Sequence, residues 1–400
     1  MLKHKNSLPL ILELQNVLRH GYPDFVWAIR PKSISGHVPV FSSHEASAED
    51  FEAKLQFLKA NGYNSVTADA VVAFVSEEKR LPSKSVMLSF DDGRKSVWTI
   101  AFPLLKKYGF SATVFLAPGI VRSDETLSPT LEDVWNGVIN KAEFDAQDFG
   151  PQRTLSWDEI SVMHKSGVID FQSHGLNHQK IAVENKIVTF VSPQLIKRYF
   201  FEFDIPYMEN RDWWMDTGDI LGAPVYQMAP FFSEANRLIN NDGLKEVCVD
   251  YVKQNGGRDF FELRDWEKQL RHLVREFRME GQPCDSFETL DEQKARIALN
   301  LQQARDMIEE RLGDKAIRHF AYPWGTGSEM AIECSKKTDH LSNFWATVPG
   351  KPYNTPGSDP YRIVRYKHDY IWRLPGDGRR SLLHIFMLKF KRRIQGQLDY

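Results

Sequence analysis

The chain has 400 residues, enough for one large domain or two ordinary ones with a well-filled core. Its 51 basic and 53 acidic side chains give a formal net charge of −2 at pH 7, so the charge balance does not indicate a nucleic-acid partner. Three cysteines lie far apart and form no CxxC pair: Cys248, Cys284 and Cys334. This sparse, odd number argues against a disulfide framework and favours a reducing compartment.

Residues 1–36 are predicted to form an N-terminal leader that is helical or irregular. The apolar run at residues 8–12 is interrupted at Glu13, too early for the core of a signal peptide, and no small-residue cleavage site follows. No stretch of the sequence approaches the length of a membrane span. We therefore expect a cytoplasmic protein.

Strand and helix patterns alternate through residues 37–375, which we predict to form the catalytic domain. Several strands, such as residues 112–116, are uninterrupted apolar runs, which is typical of strands buried on both faces. Alternation of this kind indicates parallel β/α units, hence a barrel or a doubly wound sheet. Strands are predicted, in chain order, at residues 38–41, 63–66, 86–90, 112–116, 168–173, 317–322, 344–348 and 361–369.

Two insertions interrupt this alternation, at about residues 121–153 and 181–287. The second is long and carries helical stretches near residues 244–252 and 266–279. A helix capped by Thr289 and Glu292 follows it. The chain closes with a basic, amphipathic tail at residues 376–400.

The first candidate site is the sequence Asp91-Asp92-Gly93 at the end of an apolar strand. Neighbouring side chains on a regular strand point to opposite faces, so both carboxylates can serve one site only if the strand ends here, which Gly93 permits. Two adjacent carboxylates repel each other unless a cation lies between them, so a metal ligand beside a general base is one solution. The alternative is an ordinary solvated Asp-Gly turn.

The second candidate site is the pair His174 and His178, directly after the strand at residues 168–173. The spacing of four places both imidazoles on one face of a helical turn, close enough to share one metal ion. Both motifs follow predicted parallel strands, where β/α folds place their sites. One carboxylate and two imidazoles leave coordination positions open, as in catalytic metal sites, although such pairs also occur without metal.

The third motif is a turn formed by Tyr322, Pro323, Trp324 and Gly325, again after a strand. Proline fixes one backbone angle and glycine permits an unusual one, so the N–H near Trp324 can be presented to a ligand. Taken alone, it is an aromatic turn.

The three motifs in this order resemble those of the NodB-type polysaccharide deacetylases, carbohydrate esterase family 4, over about half of the chain. The resemblance implies an α/β fold: a distorted (β/α) barrel with fewer than eight strands, here with a large, mainly helical insertion. It also implies one divalent metal ion, with Zn²⁺ expected, bound by Asp92, His174 and His178.

The same resemblance implies roles for the remaining residues. Asp91 would be the general base that takes a proton from water at the metal, since Zn²⁺ lowers the pKa of such water from about 16 towards roughly 7. The turn at residues 322–325 would contact the substrate, and the N–H of Trp324 would help to hold the oxyanion. His368, before Asp369, would be the general acid; a surface histidine is the alternative.

The sequence departs from the family pattern at two positions. Gly175 stands where a Ser or Thr often follows the first histidine, and Ala321 stands where an Arg often orients the catalytic aspartate. Arg362 or Arg365 could supply that guanidinium from the last strand. His44, which ends a predicted strand, could approach the site, although a structural role is the favoured interpretation.

The predicted function is metal-dependent removal of an N-acetyl group from an amino sugar of a polysaccharide or of its nucleotide- or lipid-linked precursor. The expected partner is therefore an amino-sugar glycan or glycan precursor, with no nucleic acid. One alternative is an N-deformylase or another non-peptide amidohydrolase on the same fold. A second alternative, motivated by Gly175 and Ala321, is a catalytically weak saccharide-binding protein.

The tail joins apolar bulk at residues 382–388 to clustered basic charge at residues 389–393. This pattern suits a helix on an anionic membrane surface, which would make the protein peripheral to the membrane. A helix packed on the domain with a solvated basic end is the favoured alternative.

Overall fold

The computed structural model describes residues 21–123, 127–147, 153–199, 220–240, 243–281, 285–346, 348 and 352–394. The strands are β1 Val40–Ser43, β2 Asn64–Ser65, β3 Ser85–Asp92, β4 Ala112–Leu116, β5 Ile169–Ser173, β6 Lys180–Phe190, β7 Pro224–Pro230, β8 Leu238–Asn240, β9 Asp285–Phe287, β10 His319–Ala321, β11 Ser342–Trp345, β12 Ile363–Val364 and β13 Tyr366–Lys367.

The helices connect these strands and cover the sheet. They are α1 Asp24–Trp27, α2 Ala48–Ala60, α3 Ala68–Val75, α4 Phe102–Tyr108, α5 Leu131–Trp135, α6 Lys141–Asp145, α7 Trp157–Lys165, α8 Pro193–Tyr199, α9 Leu244–Gln254, α10 Trp266–Glu280, α11 Leu290–Leu312, α12 Glu329–Lys337 and α13 Leu382–Ile394. A π-helical turn, Val97–Ala101, precedes α4, and 3₁₀ turns span Pro118–Ile120, Gly257–Glu262, Pro323–Gly325, Pro360–Arg362 and His368–Arg373.

Eight strands form a nearly closed parallel barrel in the order β12-β11-β10-β5-β4-β3-β1-β13, and β2 pairs with β3 beside it. The two end strands, β12 and β13, are separated in the chain by Arg365 alone. The predicted distorted (β/α) barrel is therefore confirmed. The expectation of fewer than eight strands is wrong, because the last predicted strand divides at Arg365 into two short strands on opposite sides of the gap.

The central strands are apolar because both of their faces are covered. Every residue of β3 and of β4 is buried, as expected for a parallel sheet enclosed by helices. Their register pairs Phe90 with Val114 and Asp91 with Phe115, so the aspartate pair lies at the C-terminal edge of the barrel. Capping boxes begin α7 at Ser156 and α11 at Thr289, as the sequence predicts.

The predicted leader is not separate from the barrel where the structure describes it. Tyr22, Phe25 and Val26 are buried in the main core, and the guanidinium of Arg373 donates to the carbonyl of Val26 at 2.7 Å and to that of Ala28 at 2.5 Å. The described part of the predicted leader therefore packs on the barrel through these residues. Residues 1–20 lie outside the described part.

The second insertion has a hydrophobic core of its own, which includes Leu221, Leu244, Phe260 and Leu270. Two antiparallel pairs, β6 with β7 and β8 with β9, accompany its helices. The insertion begins at Lys180, and the prediction that it is mainly helical missed these strands. The predicted aromatic cluster at Trp213 and Trp214 lies outside the described residues.

The basic tail packs on the domain through α13. Ile385 and Lys389 are buried, and Arg392 donates to Asp369 at 2.5 Å. The opposite side of the helix leaves Leu383, Met387 and Phe390 exposed. This placement agrees with the packed interpretation of the tail. Within the described ranges, no helix combines the length and hydrophobicity that a membrane crossing requires.

Candidate active site

The aspartate pair faces one site because the backbone turns at Asp92. Asp92 has a φ of 70° and Gly93 a φ of 82°, and the N–H of Gly93 donates to the carbonyl of Asp91 at 2.9 Å. This breaks the strand alternation one residue earlier than Gly93 alone would allow. A left-handed conformation is costly for a residue with a side chain, and such strain persists where a site requires it.

His174 and His178 meet without a helical turn, which corrects the expected local structure. The N–H of His174 donates to the carbonyl of Leu116 at 2.8 Å, which fixes the start of the loop after β5. Gly175 and His178 then adopt φ values of 73° and 56°. These turns bring the two imidazole centroids to within 5.0 Å of each other.

Asp92, His174 and His178 together have the geometry of a metal site. The Nε2 atoms of His174 and His178 lie 3.5 and 3.3 Å from Oδ1 of Asp92, and the three possible ligand atoms all lie within 4.8 Å of one another. The Nδ1 atom of His174 lies 2.8 Å from the carbonyl oxygen of Ala321. That contact places the ring proton on Nδ1 and directs the Nε2 lone pair towards Asp92.

Two atoms of this cluster are unsatisfied in a way that a cation would relieve. Oδ1 of Asp92 and Nε2 of His174 are buried and have no hydrogen-bond partner among the described residues. A buried polar atom without a partner costs about 1–3 kcal/mol. Two imidazoles and one carboxylate are suitable ligands for Zn²⁺ and leave coordination positions open. The residues present therefore fit a divalent ion.

Arg94 holds the other oxygen of Asp92, a contact that the sequence did not reveal. Its Nε and Nη2 atoms lie 3.0 and 2.9 Å from Oδ2. Burial raises the pKa of Asp92, but its neighbours, Arg94 among them, together outweigh burial and hold this pKa well below the usual range. Burial lowers the pKa of His178 to about 3, so its imidazole stays neutral and available as a ligand.

Asp91 is oriented by Arg365, which stands in the gap between β12 and β13. Its Nη1 donates to Oδ1 of Asp91 at 2.5 Å, and both side chains are buried. Burial raises the pKa of Asp91, but Arg365, His174 and His44 together outweigh it and lower this pKa. Of the two arginines considered as substitutes at Ala321, Arg365 takes the position; Arg362 pairs with Glu329 instead.

The loop that carries the histidines is steadied by α11 rather than by a hydroxyl at position 175. The N–H of Leu176 donates to Oδ1 of Asn300 at 3.0 Å. A Cβ atom at Gly175 would lie 3.1 Å from the ring of Phe232 and 3.2 Å from that same Oδ1. Glycine is therefore required by the close approach of Phe232 as well as by its positive φ.

His44, unlike His368, follows a strand that pairs with the one carrying the aspartates: Ser43 lies opposite Phe90 in the register of β1 and β3. The charge of His44 lowers the pKa values of Asp91, Asp92 and His178. His44 lies just after β1, the neighbour of β3 in the barrel. The sequence marked the end of this strand, but it did not rank His44 above a structural histidine.

His368 lies in a different cluster. Its Nδ1 atom is 3.3 Å from Nζ of Lys54, and its Nε2 atom is 3.9 Å from Oδ1 of Asp369. Burial, with the charge of Lys54, lowers the pKa of His368 to about 3. None of its described contacts reaches Asp91, Asp92 or the two ligand histidines, so the structure does not join His368 to the candidate site.

In the turn at residues 322–325, Trp324 borders the site, whereas Tyr322 lies in the core. Trp324 has a φ of 61°, and its ring lies 4.8 Å from that of His178 and 3.7 Å from Nζ of Lys180. A Cβ atom at Gly325 would lie 2.2 Å from Cβ of Ala346, so glycine is required there.

Tyr322, in the same turn, does not border the site. Its side chain is fully buried, its hydroxyl accepts from Nδ2 of Asn343 at 2.8 Å, and burial raises its pKa. The expectation that the Tyr322 side chain contacts substrate is therefore corrected: it packs in the core. Pro323 is also buried.

The fold and the site together define a parallel β/α-barrel protein in which Asp92, His174 and His178 could hold a metal ion at the C-terminal edge of the strands. Residues 78–200 match the family model described as polysaccharide deacetylase. The match includes the aspartate pair and the two histidines, so this part of the chain is similar to the family that its motifs predict.

Curated relatives share parts of this chain. It is 26% identical over 132 residues to the poly-beta-1,6-N-acetyl-D-glucosamine N-deacetylase of Staphylococcus epidermidis, which covers 33% of this chain and 37% of the relative. It is 23% identical over 186 residues to the enzyme of that name from Staphylococcus aureus, covering 46% and 54%. The chain therefore matches between about a third and about a half of the length of these relatives.

Solved structures share the fold over most of the chain. A de-N-acetylase from Aggregatibacter actinomycetemcomitans is similar with a TM-score of 0.50 and 16% identity, over 88% of this chain and 99% of that one. The deacetylase domain of BpsB from Bordetella bronchiseptica is similar with a TM-score of 0.50 and 15% identity, over 84% and 99%. At these identities the likeness supports the barrel fold.

Proposed function

We propose that this protein is a metal-dependent N-deacetylase that acts on amino sugars of a glycan. The observation that carries the proposal is the division of labour between two adjacent carboxylates. Asp92 turns its free oxygen towards two imidazoles, whereas Asp91 is held by the guanidinium of Arg365. This arrangement separates a metal ligand from a base within one buried site.

A divalent ion bound by Asp92, His174 and His178 would act as a Lewis acid that polarises the amide carbonyl and makes nearby water more acidic. Asp91 accepts the proton of the attacking water at its second oxygen, because Arg365 occupies the first. Arg365 keeps Asp91 ionised and limits its rotation. Arg94 likewise orients Asp92 by binding its Oδ2, which leaves Oδ1 available to a metal ion.

The leaving amine needs a proton, and we propose that His44 donates it. His44 follows Ser43, which lies opposite Phe90 next to the base, and its charge lowers the pKa values of both aspartates. Stabilisation of the oxyanion by the backbone N–H of Trp324 stays a prediction, supported by the left-handed turn that Trp324 adopts beside His178.

We propose a polymer or precursor containing N-acetylglucosamine as the substrate. The curated relatives are named for poly-beta-1,6-N-acetyl-D-glucosamine, and Trp324 lies beside His178 at the site, where an aromatic ring can pack against a sugar. Assays with a nucleotide- or lipid-linked precursor and with the polymer itself distinguish these two kinds of substrate.

The test is acetate release from N-acetylglucosamine oligomers by the full-length protein loaded with Zn²⁺. Asp91→Asn keeps the shape of the side chain but removes the base, so the rate should fall about 10²–10⁴-fold. Asp250→Asn, an exposed aspartate in the insertion, is the matched control and should leave the rate unchanged.

Substrate panels separate this proposal from its alternatives. N-formyl sugars or cyclic ureides turned over faster than N-acetyl sugars would replace deacetylation by another amidohydrolase activity. Sugar binding without acetate release from any substrate would favour a saccharide-binding protein instead.

We also propose a cytoplasmic location, because the cysteines are sparse and the two described ones, Cys248 and Cys334, are buried thiols outside disulfides. Contact of the tail with a membrane stays a prediction, supported by the exposed Leu383, Met387 and Phe390. Cell fractionation tests the first, and cosedimentation with anionic vesicles tests the second.

A further inference from the structure

The insertion carries a cleft lined by basic side chains, away from the site described above. It lies between β6 and α10 and has a volume of about 670 Å³. Within the described part of the chain, no carboxylate lines it. Five cations line it: Lys186, Lys268, Arg271, Arg275 and Arg278.

Only two of these cations are engaged by described neighbours. Arg271 donates to Oε1 of Glu267 at 2.6 Å, and Arg278 donates to Oδ1 of Asn185 at 2.5 Å. The Nε atom of Arg278 is buried and has no hydrogen-bond partner among the described residues. Lys186, Lys268 and Arg275 form no ion pair with any described carboxylate.

Five like charges around one cleft raise the electrostatic potential there. A bound anion would lower this potential and satisfy the Nε donor of Arg278. Guanidinium groups are particularly suited to this task because they bind carboxylates and phosphates through two parallel hydrogen bonds. The cleft thus has the chemistry of an anion site.

One strand connects this cleft to the active site. β6 begins at Lys180, whose Nζ lies 3.7 Å from the ring of Trp324, and its residues 185–190 border the cleft. With a rise of about 3.3 Å per residue, these positions lie roughly 15–35 Å from Lys180 along the strand. That separation corresponds to several sugar units of a bound chain.

We propose that this cleft binds negatively charged groups of the substrate glycan, several units away from the sugar that is deacetylated. This inference rests on the proposed deacetylase function and narrows its substrate to a glycan that carries carboxylate or phosphate groups. The cleft selects long anionic chains, while the metal site performs the same reaction on short neutral ones.

The experiment measures binding by calorimetry on the full-length Asp91→Asn protein, so that it does not depend on turnover. The probes are a hyaluronan hexasaccharide, which carries carboxylates, and a neutral N-acetylglucosamine hexamer; pyrophosphate serves as a phosphate competitor. The cleft variant is Lys268→Glu with Arg275→Glu. Its matched control is Lys245→Glu with Arg258→Glu, which makes the same charge change at exposed positions of the insertion.

The proposal predicts that the cleft variant binds hyaluronan about tenfold more weakly than the Asp91→Asn protein, whereas the control variant binds it as tightly. Added salt should weaken hyaluronan binding when the cleft is unchanged. Competition by pyrophosphate would identify phosphate as an accepted group, and its absence would assign the cleft to carboxylates. Equal binding of both hexamers, or hyaluronan binding unchanged in the cleft variant, would overturn the proposal.

A parallel assay keeps this result separate from the deacetylase proposal. With Asp91 intact, the cleft variant should release acetate from a neutral trimer at the wild-type rate. Failure of every protein to release acetate would refute the deacetylase function while leaving the binding result interpretable.

Discussion

Two buried clusters of charge, both containing aspartate and histidine, differ in how well their groups are matched. In the first, Asp92 and His174 leave polar atoms unsatisfied, and Asp92 and His178 have left-handed backbones. In the second, Oδ2 of Asp369 also lacks a hydrogen bond among the described residues, but this carboxylate lies 2.5 Å from Arg392, 3.6 Å from Lys389 and 3.7 Å from Lys54.

The difference separates a reactive site from a structural one. The Asp369 cluster joins α2 and α13 to the barrel, and its carboxylate is surrounded by cations on relaxed backbone. The cluster at the strand ends retains mismatched atoms and strained turns, which proteins tolerate where a ligand compensates for them. His368 belongs to the matched cluster, and His44 faces the mismatched one.

The largest expected effect comes from substituting His44 and His368 separately and comparing the two variants. His44→Gln should lower kcat for acetate release by about 10²–10⁴-fold, because it removes the proposed proton donor. His368→Gln, the matched substitution, should change kcat by less than about threefold. Initial rates with both variants at equal metal loading provide the measurement. The opposite ranking would return the general acid to His368.

Asp369→Ala should damage stability instead of chemistry. It leaves Lys54, Lys389 and Arg392 around an empty position, and breaking a buried ion pair costs about 3–5 kcal/mol. Urea unfolding measures this loss, while kcat per folded molecule should stay near that of the wild type. If Asp369→Ala stayed as stable as the wild type, the cluster would not be structural.

His368 should make stability depend on pH. Its pKa is about 3 when folded and near 6.5 when unfolded, so below pH 6.5 the unfolded chain binds a proton that the folded chain does not. Stability is therefore lost as the pH falls from 6.5 towards 3. Replacing His368 by Gln should reduce the loss between pH 7 and pH 5 by about 2 kcal/mol.

Urea midpoints at the two pH values measure that difference. His272→Gln, at an exposed position of α10, is the control and should keep the wild-type slope. An unchanged slope in His368→Gln would show that its imidazole is protonated in the folded protein.

The smallest effect tests the loop that presents the two histidines. Gly175→Ser introduces the hydroxyl that the sequence comparison leads one to expect. The serine would have an unfavourable positive φ, and its Cβ would lie too close to the ring of Phe232. We expect Zn²⁺ affinity to fall about tenfold, as when groups that support a metal site are disturbed. Competition with a chelator measures it. A gain in affinity would show that the missing hydroxyl limits the site.

Much of the site could be predicted from the sequence because its ligands belong to short motifs at strand ends. Asp91, Asp92, His174 and His178 are readable in this way, since strand ends of a parallel barrel converge. Their partners are not. Arg94 and Asn300 are positioned by the turn after β3 and the packing of α11, which no local pattern encodes. His44 was recognisable as the end of a strand, but not as a group near the site.

The surroundings of His368 were unpredictable for the same reason. A histidine after the last strand fits the motif, but its surroundings are set by Lys54 and by the helix that carries Arg392, both distant in sequence. The barrel was predictable from its apolar strands. The strands of the insertion were not, because β6 and β7 are half-buried and bulged, which obscures their alternation.

The central claim is that Asp92, His174 and His178 bind one divalent metal ion. Equilibrium dialysis against buffered Zn²⁺ tests it on the wild type, on His178→Gln and, as a control from the matched cluster, on Asp369→Asn. We predict one zinc per chain in the wild type and in Asp369→Asn, and almost none in His178→Gln. One zinc per chain in His178→Gln at unchanged affinity would contradict the account.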